Sequence, residues 1–215
     1  MTDSHAGPAL RFVPPALRFP LFRRFWFGLL FSVFGFRMFQ FAQFWLAYEL
    51  TGSALWLGFV GVADATPAII LNLVGGTVAD RVDRRRMIMW TELAAAAIVG
   101  ALGLLVWFDK ASPWHVLVAV GVTSGLNAFN APARLALYPG YVERKALLSA
   151  VALNSAAWQI SRIVGPAFAG LLIAVAGTEA VLSASSAGLL GMVYVMKTLP
   201  SVEARRREPG RALRE

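Results

Sequence analysis

Cysteine is missing from all 215 residues. Its absence removes disulfides, thiolate metal sites and cysteine nucleophiles together. Histidine is nearly as scarce, and His5 and His115 lie too far apart to offer a metal-ligand spacing. Neither histidine is placed for a serine–histidine site, so no catalytic residue and no metal site is expected. The Gly-x-x-x-x-Gly-Lys-Ser/Thr loop that cradles nucleotide phosphates is absent too, so ATP is not read by this chain and no cofactor is expected. Charge is also in short supply. Asp, Glu, Lys and Arg make up 15% of the residues, where a soluble domain carries about 25%.

What fills the sequence is apolar: 58% of residues are hydrophobic and the mean hydropathy is +0.62. The apolar residues come in runs nearly free of charge, of the length that a hydrocarbon core of about 30 Å requires, roughly 20 residues. Six such runs are expected, at about 25–50, 54–79, 87–108, 113–137, 147–176 and 180–196. Thr51-Gly52-Ser53, Asp109-Lys110-Ala111-Ser112 and Gly177-Thr178-Glu179 read as tight turns. The link at 138–146 is longer and carries Glu143, Arg144 and Lys145. The reading is an all-α polytopic membrane protein with the lipid bilayer as its first partner. Residues 1–24 form an N-terminal segment, 25–197 the six-helix domain, and 198–215 a basic tail. Residues 1–25 hold four prolines and four arginines but no early apolar core with a small-residue cleavage site, so the first run is expected to stay as a span.

Six spans put both termini on one side. Seventeen of the twenty Lys and Arg residues fall on that side when Arg134 is counted with the link at 138–146; Lys110 alone falls on the other, and Arg37 and Arg162 lie within spans. By the positive-inside rule both termini are cytoplasmic, in the cell membrane. The formal net charge of +8 therefore reports topology, and no nucleic-acid partner is expected.

Charge is densest in Gly76-Thr77-Val78-Ala79-Asp80-Arg81-Val82-Asp83-Arg84-Arg85-Arg86, between the second and third runs. An arginine triplet alone reads as a topological anchor. That account leaves Gly75, Gly76 and Asp80 unexplained. The glycines allow close helix approach, and a carboxylate one helical turn later can pair with arginine or sit at a helix N-terminus. Contacts of that kind, made in one conformation and broken in another, suit a gate. In the fifth run, Arg162-Ile163-Val164-Gly165-Pro166 is followed by Gly170. Proline there removes a backbone hydrogen bond and bends the helix. Asn130-Ala131-Pro132-Ala133-Arg134 closes the fourth run, and Leu153-Asn154-Ser155 lies in the fifth.

These motifs resemble the major facilitator superfamily of secondary transporters. Its connection between spans two and three carries a glycine, three mostly small or apolar residues, Asp-Arg, a spacer, then Arg-Arg or Arg-Lys. Gly76, Asp80, Arg81, Arg84 and Arg85 match that pattern. The family usually has glycine where this chain has Asp83, but Asp-Arg-x-Asp-Arg-Arg is similar to the branch of the enterobactin exporter and macrolide efflux proteins. Arg162, Gly165, Pro166 and Gly170 resemble the fifth-helix motif of exporters, with the second glycine one residue later than usual. The Asn-x-Pro-x-Arg and Leu-Asn-Ser elements resemble the same branch.

The resemblance implies that spans one, two, four and five border a central cavity. A charge at the bilayer centre costs at least about 2.5–3.5 kcal/mol and needs a cavity or a partner. Arg37, Asp64 and Arg162 are the deepest ionisable residues, with Gln40, Gln43, Asn127, Asn154 and Gln159 as further polar candidates. Arg37, Asp64, Gln40, Asn127 and Asn154 are the candidates for substrate or coupling, and structural ion pairing is the competing reading. Glu92 is expected to partner local arginines. The expected function is gradient-driven export of small amphiphilic molecules such as drugs or siderophores, not enzymatic catalysis. Superfamily members have two six-helix halves. This chain is expected to be the first, completed by a missing C-terminal half or by a second copy. The alternatives are a non-transporting membrane scaffold or a half-size subunit that must dimerise.

Overall fold

The computed structural model describes residues 14–79 and 83–199, and for 72–79 the backbone alone. Every regular element among them is a helix. A 3-10 turn, Pro15–Arg18, precedes α1 (Pro20–Thr51), α2 (Ala54–Ala79), α3 (Arg84–Trp107), α4 (Pro113–Tyr141), a second 3-10 turn at Arg144–Ala146, and α5 (Leu147–Thr198). All five α-helices are long and apolar enough to cross a membrane.

Local chemistry sets the helix ends. Pro20 opens α1, where its missing N–H is no loss. Gly52 closes it in the left-handed conformation (φ 62°), its N–H reaching Tyr48 O at 2.7 Å. Asp83 caps α3, its carboxylate accepting from the N–H groups of Arg85 (2.9 Å) and Arg86 (3.4 Å). At the start of α4, the Ser112 N–H donates to Nδ1 of His115 at 3.1 Å, which gives that histidine a capping role.

Several boundaries differ from the sequence reading: α1 begins at Pro20 instead of near residue 25, the fifth and sixth runs form one bent helix, and two further ends shift. The fourth helix was expected to end near residue 137, yet α4 continues to Tyr141 with both Pro132 and Pro139 inside it. The extra turn is retained by an aromatic cluster. Tyr138 stacks edge-on to Phe22 and Phe25 of α1 (centroids 6.0 and 5.7 Å apart), and Tyr141 lies 5.6 Å from Phe25. Arg134 is thus a buried helical residue, where the sequence reading counted it among the charges of the link. Likewise α3 begins at Arg84, because Asp83 supplies its cap, and so includes three residues read as connection.

At 52 residues, α5 would extend about 78 Å at 1.5 Å per residue. It bends instead at Gly177 (φ 82°, ψ 171°), where two helical segments meet. Those backbone angles are open essentially to glycine alone.

The most extensive packing is between α1 and α5, followed by α3 with α5 and α2 with α4. Small residues bring the backbones of α1 and α5 together: a Cβ on Gly35 would meet Ser185 O at 2.7 Å, and one on Gly188 would meet Phe31 O at 2.8 Å. One buried cluster joins Phe39, Ala42, Val99, Val120 and Leu182. A second gathers Phe22, Phe25, Ile88, Tyr138 and Met196 around the ends nearest the termini. Outside these clusters large apolar side chains face outward, among them Phe31, Trp90, Trp107, Trp114 and Tyr194. Water does not favour such a surface, and a bilayer does.

Candidate functional site

Three groups of polar residues interrupt the apolar packing. The first lies at the start of α3. Cations are disfavoured at a helix N-terminus, but Arg84 and Arg85 turn away from their own helix. Arg84 Nη1 donates to Ala136 O of α4 at 3.1 Å. Arg85 Nε donates to Met196 O at 2.6 Å and Nη2 to Lys197 O at 3.1 Å, both at the end of α5. The Met196 and Lys197 carbonyls are among the last four of α5, which lack intrahelical donors and carry the negative end of the dipole, while the Ala136 carbonyl lies further inside α4. The two guanidinium groups therefore tie α3 to the last turns of α4 and α5. Arg86 stays exposed and pairs with Asp83 at 3.7 Å. Of the remaining motif residues, Gly76 lies in the part of α2 described by backbone alone, and Asp80 and Arg81 lie outside the described residues.

The second group is a buried network between α1, α3 and α4. Glu92 forms an ion pair with Arg134. Its Oε2 accepts from Ser32 Oγ at 2.9 Å, and its Oε1, the oxygen paired with Arg134, also accepts from Asn130 Nδ2 at 3.0 Å. Arg134 Nη2 also donates to Ser32 Oγ (2.7 Å), and Asn130 Nδ2 to Thr91 Oγ1 (2.7 Å). Ser32, Glu92, Asn130 and Arg134 are each at most 6% exposed. Glu92 thus finds the arginine partner expected of it. Asn130 and Arg134 stand four residues apart, which places them on one helix face. That spacing was visible in the sequence, whereas the convergence of Ser32 on them was not.

The third group sits near the midpoints of α1, α2 and α5. Arg37 Nη1 donates to Gln40 Oε1 at 2.6 Å, and its guanidinium lies 5.0 Å above the Trp158 ring. Both Arg162 and Asp64 are close enough to act on its charge. Arg37 and Gln40 are thus joined directly, while Asp64 and Arg162 act on Arg37 through their charge without a hydrogen bond or ion pair to it among the described residues. Asp64 is half-buried, and its backbone oxygen accepts from Ser124 Oγ of α4 at 2.5 Å. Arg162 is exposed. Gly165 explains the approach of α5 to α1 here: a Cβ in its place would meet the Arg37 Cβ at 2.7 Å. Pro166 follows it inside α5, and Gly170 faces the Phe41 ring. Asn127 and Asn154 are half-buried on α4 and α5 without joining the contacts just described. Gln43 is buried, and its Nε2 lacks a partner among the described residues.

At the opposite end from Arg84 and Arg85, a cleft of about 600 Å³ opens between α1, α3 and the bend of α5, lined in part by Glu49, Asp109 and Glu179. Thr178 Oγ1 donates to Glu49 Oε2 there at 2.9 Å.

A family described as transmembrane secretion effector matches residues 12–214. Over 181 residues, 84% of this chain and 44% of the relative, the sequence is 27% identical to macrolide efflux protein A of Streptococcus pyogenes. It is 32% identical over 139 residues to the multidrug efflux pump Tap of Mycolicibacterium fortuitum (62% of this chain, 34% of the pump). Identity to the staphyloferrin A transporter of Staphylococcus aureus is 28% over 132 residues, 61% of this chain and 33% of the transporter. The chain spans less than half the length of these curated relatives. No solved structure matches it.

Proposed function

Because the chain belongs to the transmembrane secretion effector family of the major facilitator superfamily, we infer that it is one six-helix half of an exporter. It moves small amphiphilic molecules out of the cell by alternating access, driven by an ion gradient. The match of residues 12–214 to that family carries the reading. Dividing α5 at Gly177 gives six crossings, which return both termini to the arginine-rich, cytoplasmic side. The second half of the pathway is a C-terminal continuation or a second copy. Support comes from α2, where Val60 is the one buried residue over 54–71 and half of the residues are exposed, which leaves a face to line a pathway or meet that half.

In this reading Gly76, Asp80, Arg81, Arg84 and Arg85 form the cytoplasmic gate. The ties from Arg84 and Arg85 to the ends of α4 and α5 support it, since they make those helices move with the start of α3. Asp64 is the coupling carboxylate, without an ion pair among the described residues and within electrostatic reach of Arg37. Export of a macrolide or a dye from cells expressing the complete reading frame tests both roles. Asp64→Asn is expected to abolish gradient-dependent export. Asp80→Asn is expected to slow it several-fold without reducing the amount in the membrane. Unchanged rates in either variant would remove that role.

A further inference from the structure

The mid-span group has an imbalance of charge. Arg37 and Arg162 are two guanidinium groups, and Asp64 is the carboxylate within electrostatic reach of Arg37. The ion pairs within the described residues are Arg86 with Asp83 and Arg134 with Glu92, so no described residue neutralises either mid-span arginine by direct contact. Guanidinium stays protonated in proteins, so this neighbourhood keeps a net positive charge at a depth where an uncompensated charge costs about 2.5–3.5 kcal/mol or more. An anion would remove that cost, and a cation would add to it.

Part of the Arg37 donor set is also uncommitted among the described residues. Arg37 uses Nη1 on Gln40, while its Nε is buried and has no partner among the described residues. Trp158, Arg162 and Gly165 follow one another at spacings of four and three, along one face of α5. Gly165 admits the stem of Arg37 onto that face, and the guanidinium then lies over Trp158. Phe36 meets the same indole edge-on at 6.5 Å. Two planar donor groups thus stand beside an aromatic wall, the combination that binds a carboxylate or sulfonate in two-pronged fashion with an apolar ring against it.

We propose that Arg37 and Arg162 hold the acidic head of an anionic aromatic amphiphile, a carboxylate or sulfonate, with its ring against Trp158 and Phe36. The proposal rests on the export reading for the location of the site and adds the charge class of the substrate.

Fluorescein and rhodamine 6G, xanthene dyes of similar size and opposite charge, test this with the full-length protein in lipid nanodiscs. Saturable fluorescein binding at least tenfold tighter than rhodamine 6G binding is expected of the unaltered protein. Arg37→Gln and Arg162→Gln should each weaken fluorescein at least tenfold and leave rhodamine 6G unchanged or tighter, while Arg37→Lys and Arg162→Lys keep the preference for the anion. Equal or tighter binding of rhodamine 6G by the unaltered protein would overturn the proposal, whatever the variants do. Fluorescein binding unaffected in the glutamine variants would also overturn it. If the anion preference holds but cells expel neither dye, the export reading fails and the site stands. If cells expel rhodamine 6G independently of both arginines, the export reading stands and the site fails.

Discussion

Arg85 stands in the first turn of α3, the end of a helix where a cation is least welcome, and yet its hydrogen bonds are among the longest-range in the fold. Asp83 resolves the conflict by capping the same turn. Asp83→Ala is therefore expected to lower stability by about 1 kcal/mol, with Asp83→Asn close to neutral, as read by thermal unfolding in detergent. The motif was legible in the sequence, including the departure at Asp83. The targets of its arginines were not, because Met196 and Lys197 lie more than a hundred residues away and hydropathy does not report which helix ends meet. Glu92 and Arg134 are a stronger case. Removing one member of a buried ion pair strands the other and costs about 3–5 kcal/mol. Glu92→Gln and Arg134→Gln should each show a loss of that order in the same assay, and replacing both with leucine should show much less than the sum. An additive double variant would mean that the network is not coupled.

For whole elements, the apolar runs foretold the long helices, since a bilayer-length stretch without charge has few other uses, but the fifth and sixth of the six expected runs form one helix bent at Gly177. Boundaries were harder. Pro132 and Pro139 read as the close of the fourth run, but Tyr138 and Tyr141 gain enough from packing on Phe22 and Phe25 to carry the helix past both. The turn expected at Gly177-Thr178-Glu179 falls on the non-helical residue of α5. Glycine is required there by backbone angle, and a Cβ would also meet the Glu179 carboxylate at 2.6 Å. Gly177→Ala is expected to destabilise by about 1–3 kcal/mol, and Ala176→Gly by less. Equal effects would show that the bend does not depend on this residue. The close approach of Gly35 to Gly188 could not be read from spacing, because each glycine's partner is on another helix.

Taken as a whole molecule, the chain presents a polar seam inside an apolar exterior. Its arginine ties gather at the end near the termini, a carboxylate-lined cleft lies at the other, and Arg37, Asp64 and Arg162 stand midway. From the sequence come an expected side and an expected depth for these residues. It did not show that Asn127 and Asn154 would stay apart from them, or that Glu92 would be committed to Arg134. Family membership supplies the transport context, and the exposed surface of α2 supplies a face for the rest of the pathway. The central claim is gradient-driven outward transport, and inside-out membrane vesicles read it most directly, because export there becomes uptake. Vesicles from cells expressing the complete reading frame, given an inward-acid proton gradient, are expected to accumulate a labelled macrolide or fluorescein well above control vesicles. Dissipating the gradient should return the signal to the control level. Accumulation no greater than in control vesicles, or unchanged when the gradient is dissipated, would contradict the account.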